Sequence, residues 1–388
     1  MKTFLYFLGA ALVLGGLAYY LKNYAGINPP IKNPVAKEVS SLPLDKLKLP
    51  AGFEVSLFAT DVTGARSMCL SPDNTLFVGS KDQDKVYALR DEDGDFVAEK
   101  KYVIYSGGNM PNGVAFKDGH LYVAEVNRIL RFKDIETHLD KPGTPEVIYD
   151  QYPTEKHHGW KFIAFGPDGK LYVPVGAPCN ICKSDDPYAA LTRLDVESKK
   201  MEVVQRGIRN TVGFTWHPTT GELWFTDNGR DMMGDDMPNC ELNRASKDGL
   251  HFGYPYCHEG SLRDPEFGKN ADCNQYQQPV AKMGAHTAPL GLRYIQSAVF
   301  PDSHKNAFFI ARHGSWNRTE KSGYDVQMVK VDDHGKLISM EPFMTGWLSD
   351  NKQDVWGRPV DVQPYVDGSL LISDDFAKCI YRVTYAKK

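Results

Sequence analysis

The stretch PDGKLYV, Pro167 to Val173, decides the fold, because its phrase returns five more times along the chain. A turn containing Pro, Asp, Gly or Asn runs directly into a short apolar and aromatic segment in PDNTLFV (Pro72 to Val78), KDGHLYV (Lys117 to Val123), TTGELWF (Thr219 to Phe225), HKNAFFI (His304 to Ile310) and VDGSLLI (Val366 to Ile372). Turn formers followed by β-branched, aromatic and other apolar residues read as a hairpin turn feeding a strand. Several copies follow another short apolar run (GVAF, KFIAF, GFTW) and precede a further one (KVYALR, RILRF, ALTRLDV, CIYRVTY), so each unit holds three or four antiparallel strands. Units that start 45 to 85 residues apart suit propeller blades with insertions. A sandwich also needs many short strands, but it gives no reason for one repeated strand-turn-strand phrase. The sequence therefore predicts an all-β, six-bladed β-propeller over residues 50–388.

Outward from the repeat, the 388-residue chain is 42% hydrophobic, enough for a sizeable core. Its net charge of −4, with no Lys/Arg block interleaved with aromatics, argues against a nucleic-acid partner. Lys2 precedes an apolar run from Phe4 to Leu21 that Lys22 ends, so residues 1–23 read as a signal peptide or a membrane anchor. Gly16 and Ala18 offer small residues for cleavage, while the run's length lies near the lower bound for a span. Both alternatives place the body outside the cytoplasm, in the periplasm or anchored facing it. Residues 24–49 are rich in Pro and Lys and form the linker.

Seven cysteines fit an exported protein that uses disulfides. Cys179 and Cys182 form a lone CxxC, which reads as a local structural disulfide, and Cys257 and Cys273 flank a loop across which they can pair. Cys69 and Cys379 lie near opposite ends of the body, where a bridge would close a circular fold. The odd count leaves at least one thiol unpaired, Cys240 being the candidate.

Chemistry concentrates in a few loops beside the repeat strands. DNGRDMMGDDMPNCELN, Asp227 to Asn243, sets five carboxylates (Asp227, Asp231, Asp235, Asp236, Glu241) around Arg230, which reads either as a solvated acidic turn or as an oxygen-rich loop suited to Ca²⁺. Before it come His157-His158-Gly159, a candidate general base, and Arg209-Asn210, whose planar fork and amide suit an anionic ligand. These three stretches are expected at comparable points of successive blades. Arg312, Arg318 and Arg358 extend a basic pocket, and Trp316 and Trp356 either wall it or pack within blades. DEDGDF, Asp91 to Phe96, lacks the glycine position of an EF-hand and reads as an outer hairpin turn.

In these phrases the chain resembles the sorbosone dehydrogenase family, relatives of the soluble quinoprotein glucose dehydrogenases. The resemblance runs from about Leu49 to Tyr385 through ARSMCLSPDNTLFVGS, MPNGVAFKDGHLYVAE, GIRNTVGFTWHPTTGELWFTDNGRDMMGDDMPNCELNR, HFGYPYC, APLGL, HGSWNR and VWGRPVDV. It implies a six-bladed propeller that binds pyrroloquinoline quinone (PQQ) and Ca²⁺ and oxidises a sugar or a related aldehyde or alcohol, passing electrons to an external quinone or cytochrome. By position, His158 matches the family's general base, Arg209 and Asn210 its quinone contacts, and Arg358 a cofactor arginine. Gly229 and Arg230 fall where backbone carbonyls hold the cofactor's calcium, with Asp227 and Glu241 buried nearby. The sequence departs from the glucose dehydrogenase branch at His313, where a cofactor lysine is usual, at Trp356 in place of an arginine, and at Cys240 in place of an acid. Two competing readings remain: a calcium-dependent lactonase or esterase propeller, which needs carboxylates converging from several blades, and a cofactor-free propeller that binds a sugar or a protein.

Overall fold

The computed structural model describes residues 2–23 and 42–386. Most of the proposed linker, residues 24–41, lies outside the described residues. The N-terminal stretch is a helix over Lys2–Asn23. Among the described residues, no helix is long and apolar enough to cross a membrane.

The body is a six-bladed β-propeller. Five blades follow one another along the chain, with inner strands at Ala65–Leu70, Gly113–Lys117, Ala164–Phe165, Phe214–Trp216 and Pro289–Ile295. The sixth runs from Pro359–Pro364 through Leu370–Asp374 and Cys379–Tyr385, and takes its outermost strand, Phe53–Ala59, from the start of the body. That strand pairs antiparallel with Cys379–Tyr385, Phe53 opposite Tyr385 and Leu57 opposite Tyr381. Hydrogen bonds between the two ends of the body therefore close the ring. Cys69 and Cys379 remain free thiols, which corrects the expected covalent closure. Cys69 sits on the inner strand of blade 1 and Cys379 on the third strand of blade 6, so a bridge is neither made nor needed. Cys179–Cys182 and Cys257–Cys273 are disulfides, and Cys240 is free and buried.

Each repeated phrase joins the first and second strands of its blade, so the Pro, Asp and Gly turns all project from one end of the propeller. The opposite end carries the loops leading into each inner strand and the connections from second to third strand. DEDGDF lies, as expected, in a loop between the third and outer strands of blade 1. Four of the second strands are buried along their whole length, as in Leu76–Ser80, Leu171–Val175 and Leu370–Asp374, and the other two at all but one end residue, because neighbouring blades cover both faces. This explains why they read as continuous apolar runs rather than alternating ones.

Blade faces meet in shared clusters: Phe77, Val86 and Ile104 of blade 1 with Val114, Leu121 and Phe132 of blade 2, and Trp224 of blade 4 on Phe308 of blade 5 at 4.6 Å between ring centroids. Near the axis the strands crowd so closely that a Cβ on Gly213 would lie 2.1 Å from the Leu290 carbonyl oxygen, which only glycine avoids. Between the third and fourth strands of blade 4 the chain inserts a small lobe. It contains the pair Cys257–His258 and Leu262–Arg263, and the Cys257–Cys273 disulfide closes it.

Candidate active site

The loops leading into the inner strands bring the candidate residues to the end away from the repeated turns. His158 precedes blade 3 with its side chain buried and its backbone in the left-handed region, φ 52°. Its Nδ1 lies 2.9 Å from the Ala177 carbonyl oxygen. A carbonyl only accepts, so Nδ1 carries the proton and Nε2 keeps its lone pair. Burial, then the Arg209 charge and the neighbouring His157, hold the ring well below its ordinary pKa and therefore neutral near pH 7. Gly176 makes this placement possible, because a Cβ there would lie 2.5 Å from His158 Cβ and 2.9 Å from its carbonyl oxygen.

Arg209 and Asn210 precede blade 4, one blade on from His158. Asp227, at the end of the same blade's second strand, receives both backbone N–H groups, at 2.9 Å from Arg209 and 2.7 Å from Asn210. The same device recurs two blades away in each direction. Glu125 accepts from Asn109 N in blade 2, and Asp374 accepts from Arg358 N in blade 6. Acids from several blades thus reach this end of the propeller, and each of these three accepts from backbone N–H groups. The acidic loop belongs to the same blade as Arg209, not to a successive one, which corrects the expected one-stretch-per-blade arrangement.

The arginines divide into those near the axis and those held elsewhere. Arg209 is enclosed by Asn180, the Asn228 carbonyl and Asp231. Arg358 donates to the carbonyls of His313 and Gly314, both at 3.0 Å. Arg230 turns its side chain to Asp264 and Glu266 of the disulfide-closed lobe rather than to the acids of its own loop. Arg312 forms a fork with Asp325 and lines a cleft with Arg318, apart from Arg358. Arg318 pins the acidic loop through the Asp235 carbonyl and Asp236. Trp356 packs on Trp347 and donates to the Gly346 carbonyl in the connection from blade 5 to blade 6, so it is no wall, whereas Trp316 is exposed.

Sequence reasoning missed Arg66, Lys81 and Asp375. Arg66 donates to Asn112 Oδ1 (2.8 Å) and Asp375 Oδ2 (2.5 Å). Lys81 Nζ stands 4.2 Å above the Trp160 ring, whose centroid is 6.1 Å from that of His158. The buried Trp160 Nε1 and Thr211 Oγ1 find no hydrogen-bond partner among the described residues. A signal for Arg66 existed: ARSMCLSP (Ala65 to Pro72) and GRPVDVQP (Gly357 to Pro364) align residue for residue, with Arg66 opposite Arg358.

The TrAA12-like family pattern matches residues 47–384. The chain belongs to the TrAA12-like family. An uncharacterized protein of Borreliella burgdorferi is 30% identical over 365 residues, 91% of this chain and 93% of that protein. Among solved structures, the TrAA12-like chain shares its fold with the Trichoderma reesei carbohydrate-active enzyme of family AA12, at TM-score 0.75 and 20% identity over 90% of this chain and all of that one. It is similar in the same way to the holo PQQ domain of Coprinopsis cinerea pyranose dehydrogenase (TM-score 0.74, 17% identity, 90% and 99% covered). The apo aldose sugar dehydrogenase of Escherichia coli is a third such structure (TM-score 0.67, 17% identity, 86% and 99% covered).

Beside Asp227 the TrAA12-like fold encloses a second feature. Asp227 and Glu241 stand directly opposite each other across two strands, 6% and 7% exposed. They border a void of about 10 Å³ that Asn228, Gly229, Tyr254 and His258 also line, roughly one water or ion in size. Burial pushes Asp227 up to about 6. Burial and then the Asp227 charge push Glu241 up to about 8. Two acids enclosed together resist ionising unless a cation joins them. The exposed group Asp91, Asp93, Asp95 and Glu99 gathers its ligand atoms within 4.8 Å, but its carboxylates serve loop N–H groups such as those of Gly94 and Phe96.

Proposed function

We propose that this chain is an oxidoreductase that uses PQQ and Ca²⁺ to oxidise a sugar, a sorbosone-like aldehyde or a related alcohol. The observation that carries this reading is His158, a neutral imidazole with Nδ1 tied to a carbonyl and Nε2 left as an acceptor, near Arg209 and in the face that also gathers Arg66, Lys81 and Arg358. Those cations suit the carboxylates of PQQ, and the unpartnered Trp160 Nε1 and Thr211 Oγ1 offer it further polar contacts. Asn210 adds an amide, and His313 stands beside Arg358. The backbone carbonyls of Gly229 and Arg230 would hold the cofactor's calcium, and the Asp227–Glu241 void suits a hard cation.

When bound, PQQ supplies the two-electron acceptor, and Ca²⁺ supplies a Lewis acid for developing negative charge. The protein's share falls to His158. Its Nε2 takes the proton from the substrate hydroxyl, or from an aldehyde hydrate, as the same carbon gives up hydride. The arginines hold the site's orientation and keep it preorganised for negative charge. An external quinone or cytochrome then collects the electrons. The two disulfides support an exported, periplasmic location.

Reconstituting the protein with PQQ and Ca²⁺ tests the reading. Adding an aldose or sorbosone should change the quinone absorbance. Failure to bind PQQ at micromolar concentration sinks it, and lactone hydrolysis without PQQ would favour the hydrolase alternative. Sugar or protein binding with no quinone requirement would favour the cofactor-free one.

A further inference from the structure

Asp375 has no part in the chemistry proposed so far, yet it joins three blades. It lies in the connection after the second strand of blade 6. Its Oδ1 is 2.9 Å from His313 Nε2 of blade 5, and its Oδ2 accepts from Arg66 Nη1 of blade 1. Arg66 also donates to Asn112, whose side-chain amide donates at 2.7 Å to the Lys161 carbonyl, three residues past His158. One chain of hydrogen bonds thus links His313 to the loop of the candidate base.

The donor and acceptor roles along this chain are fixed by chemistry. Arginine only donates and stays charged, so Oδ2 must accept. Burial opposes the charge on Asp375, but the His313 ring and the Arg66 and Arg358 guanidiniums outweigh it and hold the carboxyl below the usual range. An ionised carboxylate has no proton to give, so His313 Nε2 must carry the hydrogen. Any further ligand of the ring has to meet Nδ1, to which no described residue hydrogen-bonds. In neutral His313 that nitrogen is a bare lone pair, which repels an anion.

We infer that Asp375 is a positioning residue that makes anion capture by His313 depend on uptake of one proton at Nδ1. The inference rests on the reading that anionic PQQ binds at this end of the propeller. The proton comes from solvent, and no other bond is made or broken. The groups that face His313 are Asp375 and Arg358 from blade 6 and Arg66 from blade 1, with the Ala288 carbonyl receiving its backbone N–H. Burial, then Arg358, presses the free ring down to about 4, with Asp375 opposing. A carboxylate arriving at Nδ1 adds to Asp375 in favouring the imidazolium, which then donates at both nitrogens.

Asp375→Asn tests this without changing shape. Arg66 claims the one remaining oxygen, so the amide N–H groups face Nε2 and drive the ring proton to Nδ1 before any ligand arrives. Nitrogen-15 NMR of the apo protein should show the Nε2–H tautomer of His313 in the wild type and the Nδ1–H tautomer in the variant. Calorimetric titration of PQQ in phosphate and in Tris should report uptake of about one proton per molecule in the wild type near pH 7 and almost none in the variant. His313→Gln, a neutral donor at the same place, should also bind without proton uptake. The inference is overturned if both proteins hold the same tautomer, if the wild type binds PQQ without taking up a proton, or if uptake persists in His313→Gln. A wild type that fails to bind PQQ sinks the quinone reading and the proton uptake with it, while the tautomer exchange still decides whether Asp375 positions His313.

Discussion

Removing divalent cations from this protein should reverse the usual acid sensitivity of a buried carboxylate pair. In chelated protein Asp227 and Glu241 are enclosed with each other, and burial lifts them to about 6 and about 8, against ordinary values of 3.8 and 4.5. Both folded pKa values therefore lie above the unfolded ones. Between those limits the folded state holds protons that the unfolded chain has released, so stability is present at low pH and falls as pH rises toward 8. At about 1.4 kcal/mol for each tenfold change in proton affinity, Glu241 alone swings stability on the order of 4 kcal/mol. For a body of this size, where melting entropy is about 0.7 kcal/mol per degree, that is roughly 6 °C in Tm.

Calcium bound as proposed would turn both acids into ionised ligands, so its stabilising effect should grow with pH. Glu241→Gln is the matched control. The glutamine oxygen can still accept from Glu259 N, and its amide can donate to Asn243 Oδ1, which has no partner among the described residues of the wild type, once Asn243 turns over. Thermal melts from pH 5 to pH 8, with EDTA and with calcium, are the assay. Chelated wild type should lose Tm with rising pH relative to Glu241→Gln, and the wild type should gain more Tm from calcium than the variant. A chelated wild type whose Tm tracks the variant's across that range, or a variant that responds equally to calcium, refutes the reasoning.

Four further outcomes follow from single contacts. Gly176→Ala drives a Cβ to within 2.5 Å of His158 Cβ, an overpacking worth about 1–3 kcal/mol and a displacement of about 1 Å that should cost roughly 10²-fold in turnover. Turnover within about twofold of wild type would show that the His158 position is not critical. His158→Ala should lower turnover by about 10²–10⁴-fold while PQQ affinity stays nearly intact, and equal loss of both would make the residue structural. With His158 held below its ordinary pKa and proposed to act unprotonated, the acid limb of the wild-type rate profile should fall well below pH 6.5. Lys161 is buried, its ammonium donating to the Gly159 carbonyl and standing 5.3 Å from the centre of the Tyr152 ring, and burial lowers it to about 7. Wild-type stability should thus rise from pH 7 toward 10 relative to Lys161→Met, which should be the more stable protein at pH 6.5 by a few kcal/mol, at ~1.4 kcal/mol for each tenfold change in proton affinity. Melts of the two proteins across that range check it.

The six turns, the two disulfides and the loops carrying His158 and Arg209 were legible because each depends on residues close in sequence. PDG and KDG phrases set a reversal within a few residues, and Cys179–Cys182 needs one loop. Tertiary structure decided what rests on ring closure. Arg66 and Asp375 are 309 residues apart, and they meet because the strand Phe53–Ala59 joins the last blade and sets blade 1 beside blade 6. The same closure leaves Cys69 and Cys379 unbridged. Which charges stay near the axis was likewise beyond the sequence, since Arg312 and Arg358 look alike until one forks onto Asp325 and the other reaches the His313 carbonyl. Local phrases fix turns because a turn's energy is local. The neighbours of a charge depend on how far the whole chain travels before it closes.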